Sequence, residues 1–152
     1  MTQSPTNPFL TRYPGPYAIR PSTEGVDLTF DVFCRTTDKL IIAARYWEAE
    51  EDARRVASVI ALALELARRG DFTVSIDRSL QRKLQEFRDE NSGRYVVSEF
   101  SHYPGIAEIG IANSEDDSTI ICTTATPGDP ELTQEATYIA EVLNQLFDAR
   151  EM

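Results

Sequence analysis

A chain of 152 residues with 41% hydrophobic content is long enough for one globular domain burying about 68–70% of its unfolded surface. Its two cysteines, Cys34 and Cys122, exclude a disulfide-stapled scaffold and a multi-cysteine zinc site, and read as reduced thiols in a cytoplasmic protein. The formal net charge of −10 is unevenly placed: residues 1–100 hold 15 acids and 14 bases, whereas residues 101–152 hold 10 acids and the single base Arg150. An acidic field of this kind disfavours direct nucleic-acid binding, which depends on clustered Lys and Arg.

The N-terminal segment carries Pro5, Pro8, Pro14 and Pro16 among its first residues. Each proline removes a backbone donor and restrains its predecessor, so residues 1–16 read as an extended or irregular arm. No basic region followed by an apolar core is present in MTQSPTNPFLTRYPGPY, and no secretory signal is expected. Phe9 and Tyr13 give the arm aromatic groups, which suit either a partner chain or the surface of its own domain.

Residues 17–152 read as a single α+β domain. Tyr17–Arg20 is a short strand candidate, and Leu28–Arg35 and Leu40–Trp47 form a hairpin about the polar turn Thr36–Lys39. Phe30, Val32 and Cys34 alternate onto one face, Asp31, Phe33 and Arg35 onto the other. The second strand leads into the dominant element, EAEEDARRVASVIALALELARR from Glu48 to Arg69. Between Val56 and Ala67 only Ser58 and Glu65 are polar, so this helix is expected to be buried on nearly every side. Acids at its start, Arg68 and Arg69 at its end and Gly70 beyond mark both termini. A membrane span needs about 20 apolar residues, and this run holds about half that number.

Asp71–Asp77 is predicted as a strand and Ser79–Glu90 as a polar helix with Leu80, Leu84 and Phe87 inward, capped by Asp77 or Ser79. The seven bases and five acids from Arg68 to Arg94 are too mixed for a strong phosphate groove. Tyr95–Phe100 is a further strand, His102–Gly105 a turn, and Ala107–Ala112 with Thr119–Thr124 a second hairpin about Ser114–Asp117. Pro130 opens an amphipathic last helix behind Asp129 as its cap, with Leu132, Ala136, Ile139, Leu143, Leu146 and Phe147 in its stripe.

The halves 17–70 and 95–151 share an order of strand, strand, strand, helix. Tyr17, Ile41 and Ala53 correspond to Tyr95, Ile120 and Ala136 at offsets of 78, 79 and 83. A pseudo-twofold antiparallel sheet packed on two long helices is the expected fold.

Signatures of chemistry are sparse. His102 has no sequence neighbour that marks a nucleophile and its base, Asp116–Asp117 lacks the ligand spacing and glycine of a calcium loop, and no GxGxxG, GxxxxGK[ST], HExxH or GxSxG occurs. No catalytic residue, cofactor or metal is therefore expected. The order of hairpin, long helix, strands and C-terminal helix, with small size and acidity, is similar in outline to the type III secretion chaperone-like domains, which act by binding proteins. Those domains begin with a helix where this chain has its proline-rich arm, and no site residue carries over.

The composite expectation is a non-catalytic protein-binding module (adaptor, chaperone or inhibitor) that is cytoplasmic and dimeric, with a partner of basic surface. Phe9, Tyr13, Trp47, Tyr103, Glu115, Asp116, Asp117, Glu131 and Glu135 are its candidate partner-binding residues. Two alternatives share the fold. One is a nucleic-acid-mimicking inhibitor, which needs a continuous acidic surface including Glu108, Glu135, Glu141 and Asp148; the other is a small-molecule sensor or enzyme with a pocket near His102 and Tyr103.

Overall fold

The computed structural model describes residues 8–21, 29–45, 50–91, 94–103, 106–113, 116–123 and 130–150, with side chains at 9–21, 30–42, 51, 53–91, 94–97 and 134–150. The elements run α1 (Pro8–Arg12), β1 (Tyr17–Pro21), β2 (Thr29–Cys34), β3 (Lys39–Arg45), α2 (Glu50–Arg69), α3 (Arg78–Glu90), β4 (Tyr95–Tyr103), β5 (Ile106–Asn113), β6 (Asp116–Thr123) and α4 (Pro130–Ala149). The class is α+β. Two three-stranded antiparallel meanders, β1-β2-β3 and β4-β5-β6, meet at β3 and β6, where Ala43 opposes Thr123, to give the strand order β1-β2-β3-β6-β5-β4.

α2 lies against β1, β2 and β3 and also touches α3 and α4, which accounts for a helix apolar nearly all round. Ala53, Ala57, Val59, Ile60, Ala63, Leu64 and Leu66 are all buried along it. Its end is a Schellman cap: Gly70 at φ +78° donates to the Ala67 carbonyl at 3.1 Å, and Asp71 donates to the Leu66 carbonyl at 3.2 Å. The face of β2 predicted to point inward does so, with Phe30, Val32 and Cys34 buried. The hairpin to β3 turns through Asp38 at φ +55°, whose carboxylate accepts from Arg20 at 2.8 Å.

α4 covers β4 and β5, burying Ala136, Ile139, Ala140, Val142, Leu143, Leu146 and Phe147. Asn144 of α4 fastens the edge strand: its Oδ1 accepts from the Tyr95 amide at 2.8 Å and its Nδ2 donates to the Tyr95 carbonyl at 3.0 Å. Among the described residues no helix is long and apolar enough to cross a membrane.

Four local predictions are corrected. Residues 8–12, expected to be extended or irregular, form the short helix α1, which Pro8 opens at a position where its missing N–H costs no intrahelical bond. Residues 71–77 form bends and irregular chain instead of a strand. The Asp71 carboxylate accepts from the amide and hydroxyl of Thr73, at 2.9 and 2.8 Å, and the Arg150 guanidinium binds the carbonyls of Phe72 and Val74, so these groups are satisfied without a strand partner. His102 belongs to β4 and not to a turn, since β4 continues to Tyr103 opposite Ile106. Asp116 and Asp117 open strand β6 instead of lying in a turn, with Asp116 opposite Asn113.

Candidate anion-binding cleft

α3 is a short polar helix held by two fully buried side chains, Leu84 and Phe87. Phe87 stacks on Phe147 of α4 with ring centres 5.8 Å apart and planes within 6°, and meets Tyr95 of β4 at 5.8 Å. Asp77 caps the helix by accepting from the Leu80 amide at 2.8 Å. That docking sets the rotation of α3, and its opposite face meets the first turns of α2. Between the two helices opens a cleft of about 460 Å³ lined by Glu51, Arg54 and Arg55 from α2 and Arg78, Ser79, Arg82, Lys83 and Glu86 from α3. Five cations face two carboxylates there, a surplus of three positive charges in a chain whose net charge is −10.

The two α2 arginines are held in place. The guanidinium carbon of Arg54 sits 5.1 Å from the centre of the Phe30 ring, a cation–π contact. Arg55, its side chain only 16% exposed, reaches Glu86 at 3.0 Å and Glu90 at 2.7 Å, bridging α2 to α3. Arg78 and Arg82 are exposed and Lys83 is half-buried. Among the described residues no carboxylate lies within ion-pair distance of these three.

Their placement is unfavourable for α3 itself. The helix has no acid in its first turn, and cations at the positive end of the dipole cost about 0.3–1 kcal/mol each. Arg78 and Arg82 are also a like-charged pair one turn apart, a further loss of about 0.2–0.5 kcal/mol. Local rules broken without a compensating contact among the described residues are characteristic of functional surfaces. Chemically, forked guanidinium groups suit bidentate binding of oxyanions.

The arm residues lie elsewhere. Phe9 and Tyr13 are 4% and 3% exposed. Phe9 stacks on Tyr138 at 4.4 Å, and the Tyr13 hydroxyl donates to the carboxylate of Glu135 at 3.1 Å. Arg12 binds the same carboxylate at 2.7 Å, leaving Glu135 6% exposed. Burial, reinforced by the neighbouring Glu135 charge, pushes the Tyr13 hydroxyl up to about 12 against the opposing pull of Arg12. Three expected partner-binding residues, Phe9, Tyr13 and Glu135, are thus brought together inside the chain, where an arm rich in aromatics has found its own domain. An acidic surface running through Glu135 is interrupted there, and Asp148 is engaged by Arg94 at 3.2 Å.

Trp47 and Glu115 lie outside the described residues. Tyr103, Asp116, Asp117 and Glu131 are placed by backbone in β4, β6 and α4. Cys34 is fully buried; burial raises its thiol pKa, but hydrogen bonds from Thr37, with backbone bonds from Gly15 and Thr36, outweigh that and hold it below the usual value. Its lack of exposure closes it to substrates.

The cleft was missed in the sequence because its cations come from two helices. The available signal was the trio Arg78, Arg82 and Lys83 in the opening turns of a helix whose first turn holds no acid. No family, curated protein or solved structure matches this chain.

Proposed function

We propose that the chain is a small, non-catalytic binding module of the cytoplasm, an adaptor, chaperone or inhibitor of another protein, that recognises its partner by charge. The observation that carries this reading is the separation of charge: a basic concavity between α2 and α3 in a chain whose last third holds 10 acids and one base. The cleft receives an anionic group, while the acidic third faces a basic surface on the partner. Association driven this way is fast and salt-sensitive.

The test is capture of the partner from native extract by tagged wild-type chain and by the double variant Arg78→Glu, Arg82→Glu. A stoichiometric partner, released by high salt and captured poorly by the variant, is the expected result. A partner that binds both proteins equally at high salt contradicts the reading.

We also infer that the chain is a duplicated β-β-β-α unit acting as a homodimer. The mirrored strand order about β3 and β6 and the equal length of α2 and α4, 20 residues each, support the duplication. Sedimentation at several protein concentrations tests the dimer, which a constant monomer mass would exclude.

A further inference from the structure

We propose that the α2–α3 cleft is a binding site for a small oligophosphate, with Arg78, Arg82 and Lys83 as the phosphoryl-contacting residues and Arg54 and Arg55 as its fixed cationic wall. This rests on the reading of the cleft as the anion-recognising face, and it specifies the anion.

The lining decides the chemistry. Every one of the eight residues is charged or carries a hydroxyl. An apolar or aromatic peptide anchor needs a desolvated apolar pocket, and a nucleobase or single strand needs aromatic stacking. The cleft lining offers neither. Its volume of about 460 Å³ matches a small ligand. The net charge of −10 repels extended polyanions, which leaves a compact one as the favoured occupant.

Charge density then favours phosphoryl over carboxylate. A phosphoryl group concentrates roughly −1.5 to −2 charges on three acceptor oxygens, whereas a carboxylate offers one charge on two. Arg78 and Arg82 stand one helical turn apart, as do Ser79 and Lys83 beside them, so their side chains leave neighbouring positions about 5–6 Å apart on one surface. Two arginine forks, an ammonium and a hydroxyl at that spacing suit adjacent phosphoryl groups. Arg55 contributes position more than net charge, because Glu86 and Glu90 already pair with it.

The experiment is isothermal titration of the full chain with sodium tripolyphosphate and, at matched ionic strength, with citrate. Wild type is compared with the double variant Arg78→Gln, Arg82→Gln and with a control, Arg35→Gln, Lys39→Gln, which removes two exposed cations at the end of the β2–β3 hairpin. Saturable one-to-one tripolyphosphate binding is expected, at least tenfold tighter than citrate. The cleft variant is expected to bind at least tenfold more weakly, having lost two charge-assisted contacts, and the control to match wild type. Circular dichroism checks that both variants fold, and Lys83→Gln alone provides a milder probe with a smaller loss in the same direction.

Absence of saturable binding overturns the proposal, as does equal weakening by the control pair or equal affinity for citrate. A doubly phosphorylated peptide that binds at least tenfold tighter than tripolyphosphate reassigns the cleft to protein docking and also overturns it. If tripolyphosphate fails while partner capture still depends on Arg78 and Arg82, only the phosphoryl assignment falls. If capture ignores both residues while tripolyphosphate binds, the partner reading falls instead.

Discussion

Phe87→Ala is the sharpest perturbation of the frame that carries the cleft. The side chain is fully buried, stacked on Phe147 and angled against Tyr95, so its truncation removes a full aromatic from the core and leaves a cavity. Such changes cost about 3–5 kcal/mol. In a chain of this length each kcal/mol lowers the melting temperature by about 2–4 °C, so a fall of roughly 10–15 °C is expected. With total stability typically about 5–15 kcal/mol, most of the variant remains folded at 25 °C. The loss should be local in character, because Leu84 is the only other fully buried anchor of α3. Urea unfolding reports the magnitude, as a lower midpoint with an unchanged slope, and amide exchange reports the location, as earlier opening of residues 78–90 than of β2 and β3. A loss below about 1 kcal/mol, or exchange in α3 as slow as in wild type, refutes the packing on which the cleft geometry depends.

Asn144→Ala removes both hydrogen bonds to the backbone of Tyr95 and should cost about 1–3 kcal/mol, with faster exchange at Tyr95 as the marker; unchanged thermal stability counts against a fastening role. Tyr13 gives an alkaline dependence: its hydroxyl titrates near 10 when unfolded and about 12 when folded, so the neutral form contributes stability in full below pH 10. That contribution is lost between about pH 10 and 12. Tyr13→Phe should flatten this part of the pH–stability curve, and a curve that keeps its shape shows that another group is responsible. Two glycines carry backbone strain for any other residue. Gly70 has φ +78° with nothing near its Cβ position, and Gly15 has φ +88° with the flexible Arg68 side chain nearest to a Cβ, so Gly70→Ala and Gly15→Ala should each cost about 1–2 kcal/mol, and a melting temperature equal to wild type for either variant contradicts the strain.

Much of the frame was legible wherever short-range signals agreed with one another. The helix from Glu50 to Arg69 has acids at its start, arginines at its end and a glycine cap, and its all-round apolar surface corresponds to contacts with strands on one side and with α3 and α4 elsewhere. The strands of both meanders followed from alternation and polar turns. The failure at Asp71–Asp77 is instructive because Phe72, Val74 and Ile76 have strong β propensity. Propensity of that kind reflects a fit to neighbouring strands, and here an aspartate turn and Arg150 satisfy the backbone instead. The arm was ambiguous for a similar reason: nothing local tells Phe9 and Tyr13 that Tyr138 and Glu135, more than a hundred residues later, will receive them.

The cleft was hidden by averaging. Counting bases from Arg68 to Arg94 mixes residues with different duties: Arg88 lies over the rings of Tyr95 and Phe147 at 5.7 and 5.0 Å, Arg94 pairs with Asp148, and Arg68 and Arg69 both pair with Glu65. Removing these leaves Arg78, Arg82 and Lys83, where electrostatics inside the helix would prefer acids. This conflict supports a decisive prediction. Arg78→Glu turns an unfavourable dipole interaction into a favourable one and replaces a like-charged pair with an attractive one toward Arg82, a gain of roughly 1–2 kcal/mol. The melting temperature should rise by about 3–6 °C while tripolyphosphate affinity falls at least tenfold. A variant that melts lower refutes the electrostatic conflict, and one that melts higher yet still binds refutes the assignment of Arg78 to the ligand. A gain in stability coupled to a loss of binding is the signature expected of a surface kept for recognition at the expense of its own helix.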